Sequence, residues 1–208
     1  MKGIIYIVSS PSGCGKTTII RNFLKHNRDF YFSISHTTRL PRKNEKNGID
    51  YYFVTKDEFK KMIENNEFLE WAVVHNEYYG TSKRNVLEKI YKGIDVILDI
   101  DVQGAEKIRK NKELKEIDIV SIFIFPPSFE ELKRRLLKRK SDDEKTINIR
   151  LKNAYKELER FEEYDYIIVN ENLENAILDF QAIIRSTKLK TVHQKELVKE
   201  ILNNWEVK

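Results

Sequence analysis

Apolar residues in this chain fall into short unbroken runs, separated by stretches in which they recur at a helical spacing. The runs Ile4 to Val8, Ile119 to Phe125 and Tyr166 to Val169 lack polar alternation, as does Val96 to Asp101 until its closing Asp99-Ile100-Asp101. That pattern belongs to strands buried on both faces of a parallel sheet. Helical patterns lie between them. The first covers about 16–26, with Ile19, Ile20, Phe23 and Leu24 on one face. Others span 82–92 (ended by Gly93), 103–110, 129–139, 143–162 and a long region from about 173. Thr55 with Glu58, and Ser128 with Glu131, have capping-box spacing; the first opens a helix through Phe59, Met62 and Ile63. Between the first helix and residue 82 the texture changes. Phe30 to Ser35 reads as a strand, His36 to Gly48 as a polar loop, Tyr51 to Val54 as a strand, and Phe68 to Gly80 as one bent strand or a hairpin.

Strands alternating with helices predict an α/β fold of three layers around a central parallel sheet. The 208 residues form one domain in this reading. A core of about 1–34, 82–132 and 164–208 carries a small strand-rich insertion, about 35–81, and a helical lid, about 133–163. There is no internal repeat, low-complexity tract or Pro/Gly-rich linker. In such sheets the site lies beyond the carboxyl ends of the strands. Gly13, Asp99, Pro126 and Asn170 all fall there, on one rim.

The first such end carries the clearest chemistry. Ser9-Ser10-Pro11-Ser12-Gly13-Cys14-Gly15-Lys16-Thr17-Thr18 links an apolar strand to a helix, the context of a phosphate-binding loop. Backbone N–H groups curl round an anion there, and the positive end of the helix points at it. Lys16 can bridge the outer phosphates, and the Thr17 hydroxyl can join a magnesium shell. Ser10 stands where the pattern has its first glycine, so the loop begins without glycine's freedom of backbone angle. Asp99 closes an apolar strand, a position suited to supporting magnesium or its water; Asp101, two residues on, projects to the same face.

Arg39 and Arg42, in a loop fixed by Pro41, precede Tyr51. Two guanidinium forks and a phenol suit a phosphate dianion, although a solvated basic loop has the same composition. Glu70 lies in the apolar context Glu67-Phe68-Leu69-Glu70-Trp71, where a carboxylate needs partners. Guanine offers two parallel donors, N1–H and the 2-amino group, which adenine lacks. Ser35 and Thr81 could donate to the guanine O6, against the plainer reading of strand-end and cap residues. Arg135 and Arg139, four apart, share a helix face, and Arg150 follows across a polar stretch. A solvated charged face is the plain alternative to a lid that closes positive charge over a transferring phosphoryl group.

Composition narrows the rest. The net charge of +5 is explained by phosphate-rich small substrates as well as by nucleic acid, for which no recognition motif is present. The single cysteine, Cys14, forms no intrachain disulfide, and no run approaches the ~20 apolar residues of a membrane span. A cytoplasmic protein is expected. His26, His36, His75 and His193 show no zinc or triad spacing. Cys14, near a helix N-terminus, is a candidate for thiol sensitivity. The tail from Thr191 has Val192, Leu197, Ile201 and Leu202 at near-helical spacing; it could dock on the body or pair with another chain. Monomer and homodimer both remain open.

Taken together, these motifs resemble those of guanylate kinases over almost the whole chain. The resemblance rests on the loop, on Ser35-His-Thr-Thr-Arg-Leu-Pro-Arg42 and on Gly48-Ile-Asp-Tyr-Tyr-Phe-Val54. It continues through Glu67-Phe-Leu-Glu-Trp-Ala72, Tyr78-Tyr-Gly-Thr81, Ile97-Leu-Asp-Ile-Asp-Val-Gln-Gly104 and Ile168-Val-Asn170. It implies a P-loop NTPase-type fold and magnesium-assisted transfer of the ATP γ-phosphate to GMP, and to dGMP. It implies that residues 10–18 bind ATP, with Asn170 on the adenine side, and that Thr17 and Asp99 serve the metal. Arg39, Arg42, Tyr51 and Tyr79 are implied at the GMP phosphate; Ser35, Glu70 and Thr81 at guanine, with Asp101 nearby. Lys16, Arg39, Arg135, Arg139 and Arg150 make up the implied catalytic set, and insertion and lid close over the substrates. His36 departs from the family pattern, where serine is common. A scaffold module of the same fold is disfavoured, because the phosphate-handling residues are intact. A P-loop kinase for another acceptor is disfavoured by Glu70 with Ser35 and Thr81.

Overall fold

The structure, a computed structural model, describes residues 2–74, 76–137 and 144–205 (144–146 by backbone only). Five parallel strands form the central sheet: β1 (Ile5–Ser9), β2 (Tyr31–Ser33), β7 (Val96–Asp99), β8 (Ile119–Phe125) and β9 (Tyr166–Val169), in the order β2-β7-β1-β8-β9. Alternate residues of β1 serve opposite layers. Tyr6 and Val8 pack with α1 (Lys16–His26), α5 (Phe129–Leu137), α6 (Glu144–Leu158) and α7 (Leu173–Lys188), through Ile20, Leu132, Leu151 and Phe180. Ile5 and Ile7 pack with α3 (Lys83–Tyr91) and α4 (Val102–Lys110), through Val86, Ile90 and Ala105. Both faces are therefore covered, which is why the strands read as unbroken apolar runs.

A second, four-stranded sheet has the order β4-β3-β6-β5, from β3 (His36–Thr37), β4 (Tyr52–Phe53), β5 (Phe68–Val74) and β6 (Glu77–Ser82). The run Phe30 to Ser35 is thus not one strand. The chain leaves the central sheet after Ser33 and enters the second sheet at His36. Phe68 to Gly80 is a hairpin, with Glu70 opposite Thr81. Helix α2 (Lys56–Glu64) carries the expected capping box, and its Phe59 is fully buried, stacked on Phe68 at 4.5 Å. At Ser128 only half a box forms. Glu131 N donates to Ser128 Oγ, but the Glu131 carboxylate turns to Arg134 and Arg135.

The C-terminal region divides at Leu189 into α7 and α8 (Thr191–Asn203). No residue of α8 is buried, so its apolar residues do not dock on the body. No helix among the described residues is long and apolar enough to cross a membrane.

Candidate active site

The loop between β1 and α1 sits at the carboxyl end of the central strand, where the chain fills the sheet on both sides. Gly13 and Gly15 adopt φ of 97° and 92°, a left-handed conformation that suits glycine. A Cβ on Gly13 would press on Leu132 and Leu136; one on Gly15 would strike Asn170 Nδ2. Among described non-glycine residues only Asn66 and Asn76 have positive φ. Ser10 therefore carries no left-handed strain, and serine in place of the first loop glycine costs the backbone nothing of that kind. Gly15 caps α1 with no side-chain bond to the helix end, and Thr18 N and Ile19 N donate to its carbonyl. The loop is braced from beneath. Asn170 Nδ2 donates to Cys14 O at 2.7 Å, and Arg135 donates to Asn170 O at 3.0 Å. Asn170 is only 4% exposed, and its amide supports the loop through Cys14 O. Cys14 is fully buried in the core beneath α5, which removes the accessible thiol that modification would need.

Asp99, the last residue of β7, gathers the loop's functional groups. Lys16 Nζ lies 2.6 Å from its Oδ1 and also donates to Ile100 O, and Thr17 Oγ1 donates to Oδ2 at 3.3 Å. Asp101 does not continue the strand. It is the N-cap of α4, accepting from Gly104 N at 2.8 Å, so alternation along β7 does not set its direction.

In the second sheet, Glu70 is buried, and Thr81 Oγ1 donates to its Oε1 at 2.6 Å. Burial pushes its carboxyl up to about 7; the Thr81 bond opposes that rise and the Asp101 charge adds to it. Ser35 stands half-buried between β2 and β3, its carbonyl accepting from Tyr52 N. Arg39 donates to both oxygens of Glu45 at 2.9 Å and lies over the Tyr51 ring, which meets Tyr79 edge-on at 5.9 Å. The Arg42 amide also donates to Glu45, while its side chain is exposed. Arg39, Tyr51 and Tyr79 thus come together. Burial and the Asp99 charge push the Tyr51 phenol up to about 12. His36 stacks on Tyr52 at 4.8 Å, and burial lowers its basicity, so it serves as a packing residue of the sheet.

On α5 and α6, Arg135 pairs with Glu131 at 2.6 Å, and two arginines hold that carboxylate down to about 2. Arg150 is half-buried on α6, and Arg139 lies outside the described residues. Two acidic residues escaped the sequence reading. Glu45 is the anchor of the Arg39 loop. Glu157, on α6, is pushed up to about 7 by burial and by Asp101, against the opposing Lys16 charge. Neither has a sequence signature, since both sit in strongly charged stretches. Among the described residues no cluster of three or more His, Cys, Asp or Glu could hold a metal.

Known proteins resemble this chain over nearly its full length. The family model described as "Guanylate kinase" matches residues 2–187. The guanylate kinase of Thermotoga maritima is 44% identical over 198 residues, covering 95% of this chain and 94% of its own. That of Pasteurella multocida is 46% identical, covering 94% and 93%. A crystal structure of guanylate kinase from Anaplasma phagocytophilum superposes with a TM-score of 0.76 at 38% identity, covering 96% of this chain and 95% of that one. With its loop, its two sheets and these relatives in agreement, the chain belongs to the guanylate kinase family.

Proposed function

We propose that the chain transfers the γ-phosphate of ATP to GMP, and to dGMP, giving ADP and GDP or dGDP. One observation carries the reading. Asp99 faces Lys16 and Thr17, while Asp101, two residues on, lies close enough to Glu70 to raise its proton affinity. The β7–α4 turn thus joins a phosphate-binding loop to a buried carboxylate suited to guanine. In this reading residues 10–18 hold the ATP phosphates. Arg39, Arg42, Tyr51 and Tyr79 hold the GMP phosphate. Glu70 reads guanine N1–H and the 2-amino group, beside Ser35, Thr81 and Asp101. The second sheet acts as the GMP-binding insertion, and α5 with α6 forms the lid that brings Arg135, Arg139 and Arg150 to the reacting phosphates.

Phosphoryl transfer asks for positioning and charge rather than covalent chemistry. Lys16 must leave Asp99 for the phosphates, a short movement for a flexible side chain. Thr17 and Asp99 are hard oxygen donors 3.3 Å apart beside the loop, and so suit Mg²⁺, which takes few protein ligands and shares the rest with phosphate and water. These two residues would hold it; when bound it neutralises charge on the phosphate oxygens. A cytoplasmic site of action, with ATP and GMP as the partners, belongs to the same proposal.

An ATP-consumption assay across GMP, dGMP, AMP, UMP and CMP tests this. GMP and dGMP should turn over, with AMP lower in kcat/KM by about 10⁴-fold, since a site built for hydrogen bonds rejects a base that cannot make them. Equal use of AMP would overturn it.

A further inference from the structure

Gly104 lies in the first turn of α4, where glycine is a poor helix residue compared with alanine. Its backbone conformation does not require glycine, as its φ is not positive. The explanation lies across the turn. A Cβ at this position would stand 2.8 Å from Glu70 Oε2 and 3.1 Å from its Cδ, closer than carbon and oxygen tolerate without movement. Glu70 has little freedom to retreat. Thr81 holds Oε1 at 2.6 Å, the residue is 7% exposed, and from Glu70 to Val74 its strand pairs with β6 in unbroken register, beyond a bulge between Phe68 and Glu70. The backbone on either side of Glu70 is tied to α4 as well, with Asn111 Nδ2 on Leu69 O at 3.3 Å and Lys107 Nζ on Trp71 O. Asp101 fixes the helix end from the other side, through Gly104 N at 2.8 Å.

We propose that Gly104 is a specificity-determining position. By lacking a side chain, it lets the Glu70 carboxylate seat against α4 with both oxygens placed for a base that offers two parallel donors. Gly104 acts through Glu70 and is a positioning residue, and the inference rests on Glu70 being the reader of guanine. A methyl group here displaces Oε2 while Oε1 stays with Thr81. One of the two contacts to guanine is then lost. IMP, whose base keeps N1–H but lacks the 2-amino group, has less to lose than GMP.

The test is steady-state kinetics of Gly104→Ala with GMP, IMP and ATP, beside Glu70→Gln. KM for GMP should rise by about ten- to a hundredfold, as expected for an ångström-scale misplacement, with KM for ATP unchanged and the GMP-over-IMP preference reduced. Unchanged GMP kinetics in Gly104→Ala, with Glu70→Gln impaired, would overturn the inference alone. Unchanged GMP kinetics in Glu70→Gln would instead remove the Glu70 reading beneath it. Thermal melts cover the case in which the alanine variant folds poorly. Gly104→Ala should lower Tm beside the native Glu70 but raise it in a Glu70→Ala background, where the space is open. An equal loss in both backgrounds would place the clash elsewhere and overturn the inference.

Discussion

Lowering the pH should weaken the use of GMP through one buried group, Glu70. Burial raises its carboxyl from 4.5 to about 7, and only the ionised form offers both oxygens as acceptors to the two donors of guanine. With a value of about 7 in the free enzyme, the ionised fraction is roughly a tenth at pH 6 and nine-tenths at pH 8. The Glu70 contribution to kcat/KM for GMP should therefore fall about tenfold from pH 8 to pH 6. The GMP phosphate has its own ionisation near pH ~6, as phosphomonoesters do. Dividing the wild-type profile by that of Glu70→Gln removes it, because the variant keeps the phosphate and loses the carboxyl. Calorimetric GMP titrations in two buffers of different ionisation heat give an independent reading: at pH 7 the wild type should release about half a proton more per GMP than Glu70→Gln does. The sign for folding follows from the same raised value. The Glu70 contribution to stability is fully present below 4.5 and is lost as pH rises through about 7. A wild-type-to-variant ratio that stays flat from pH 6 to 8, or a wild type that releases no more protons than the variant, would refute the reasoning.

Three further outcomes are expected. Lys16→Ala should lower kcat by at least about a hundredfold, the scale of removing one preorganised charge contact, while GMP binding measured by calorimetry stays near normal. Thr55→Ala removes the α2 capping box, in which Glu58 N donates to the hydroxyl and Thr55 N to the Glu58 carboxylate. It should cost about 1 kcal/mol in urea unfolding with an unchanged m-value. Glu157→Gln should stabilise the protein at pH 8 by about 1–2 kcal/mol after solvent screening, since it removes a half-buried carboxylate raised to about 7. Its advantage should vanish below 4.5, where the native residue is protonated in both states; equal stability at pH 8 would contradict the assignment of its surroundings.

The central sheet was legible because strands buried on both faces carry their signature in composition alone: Ile4 to Val8 and Ile119 to Phe125 leave no polar face to misread. The loop was legible because glycine, lysine and threonine are demanded by backbone and charge at fixed spacing. Contacts that depend on tertiary placement were not. Phe30 to Ser35 and His36 to Thr37 look continuous, and nothing local states that the chain changes sheets after Ser33. Asp101 two residues after Asp99 suggests a shared strand face, but Asp101 is a better helix cap than strand residue, and the helix won. Glu131 had two arginines within reach as well as its own helix end, and charge pairing prevailed over the second half of the capping box. The division at Leu189 carries neither glycine nor proline, so nothing local marks where the helical region from about 173 is broken. Glu45 and Glu157 could not be separated from their charged neighbours without knowing which way each points.

The most direct measurement is a crystal structure with GMP and a non-hydrolysable ATP analogue bound together. The GMP phosphate should rest on Arg39 and Tyr79 and its base on Glu70, with the triphosphate wrapped by Gly13 to Thr17 and Lys16 moved from Asp99 to the phosphates. GMP bound away from Arg39 and Glu70, or a triphosphate that leaves the Gly15 loop empty, would contradict the account.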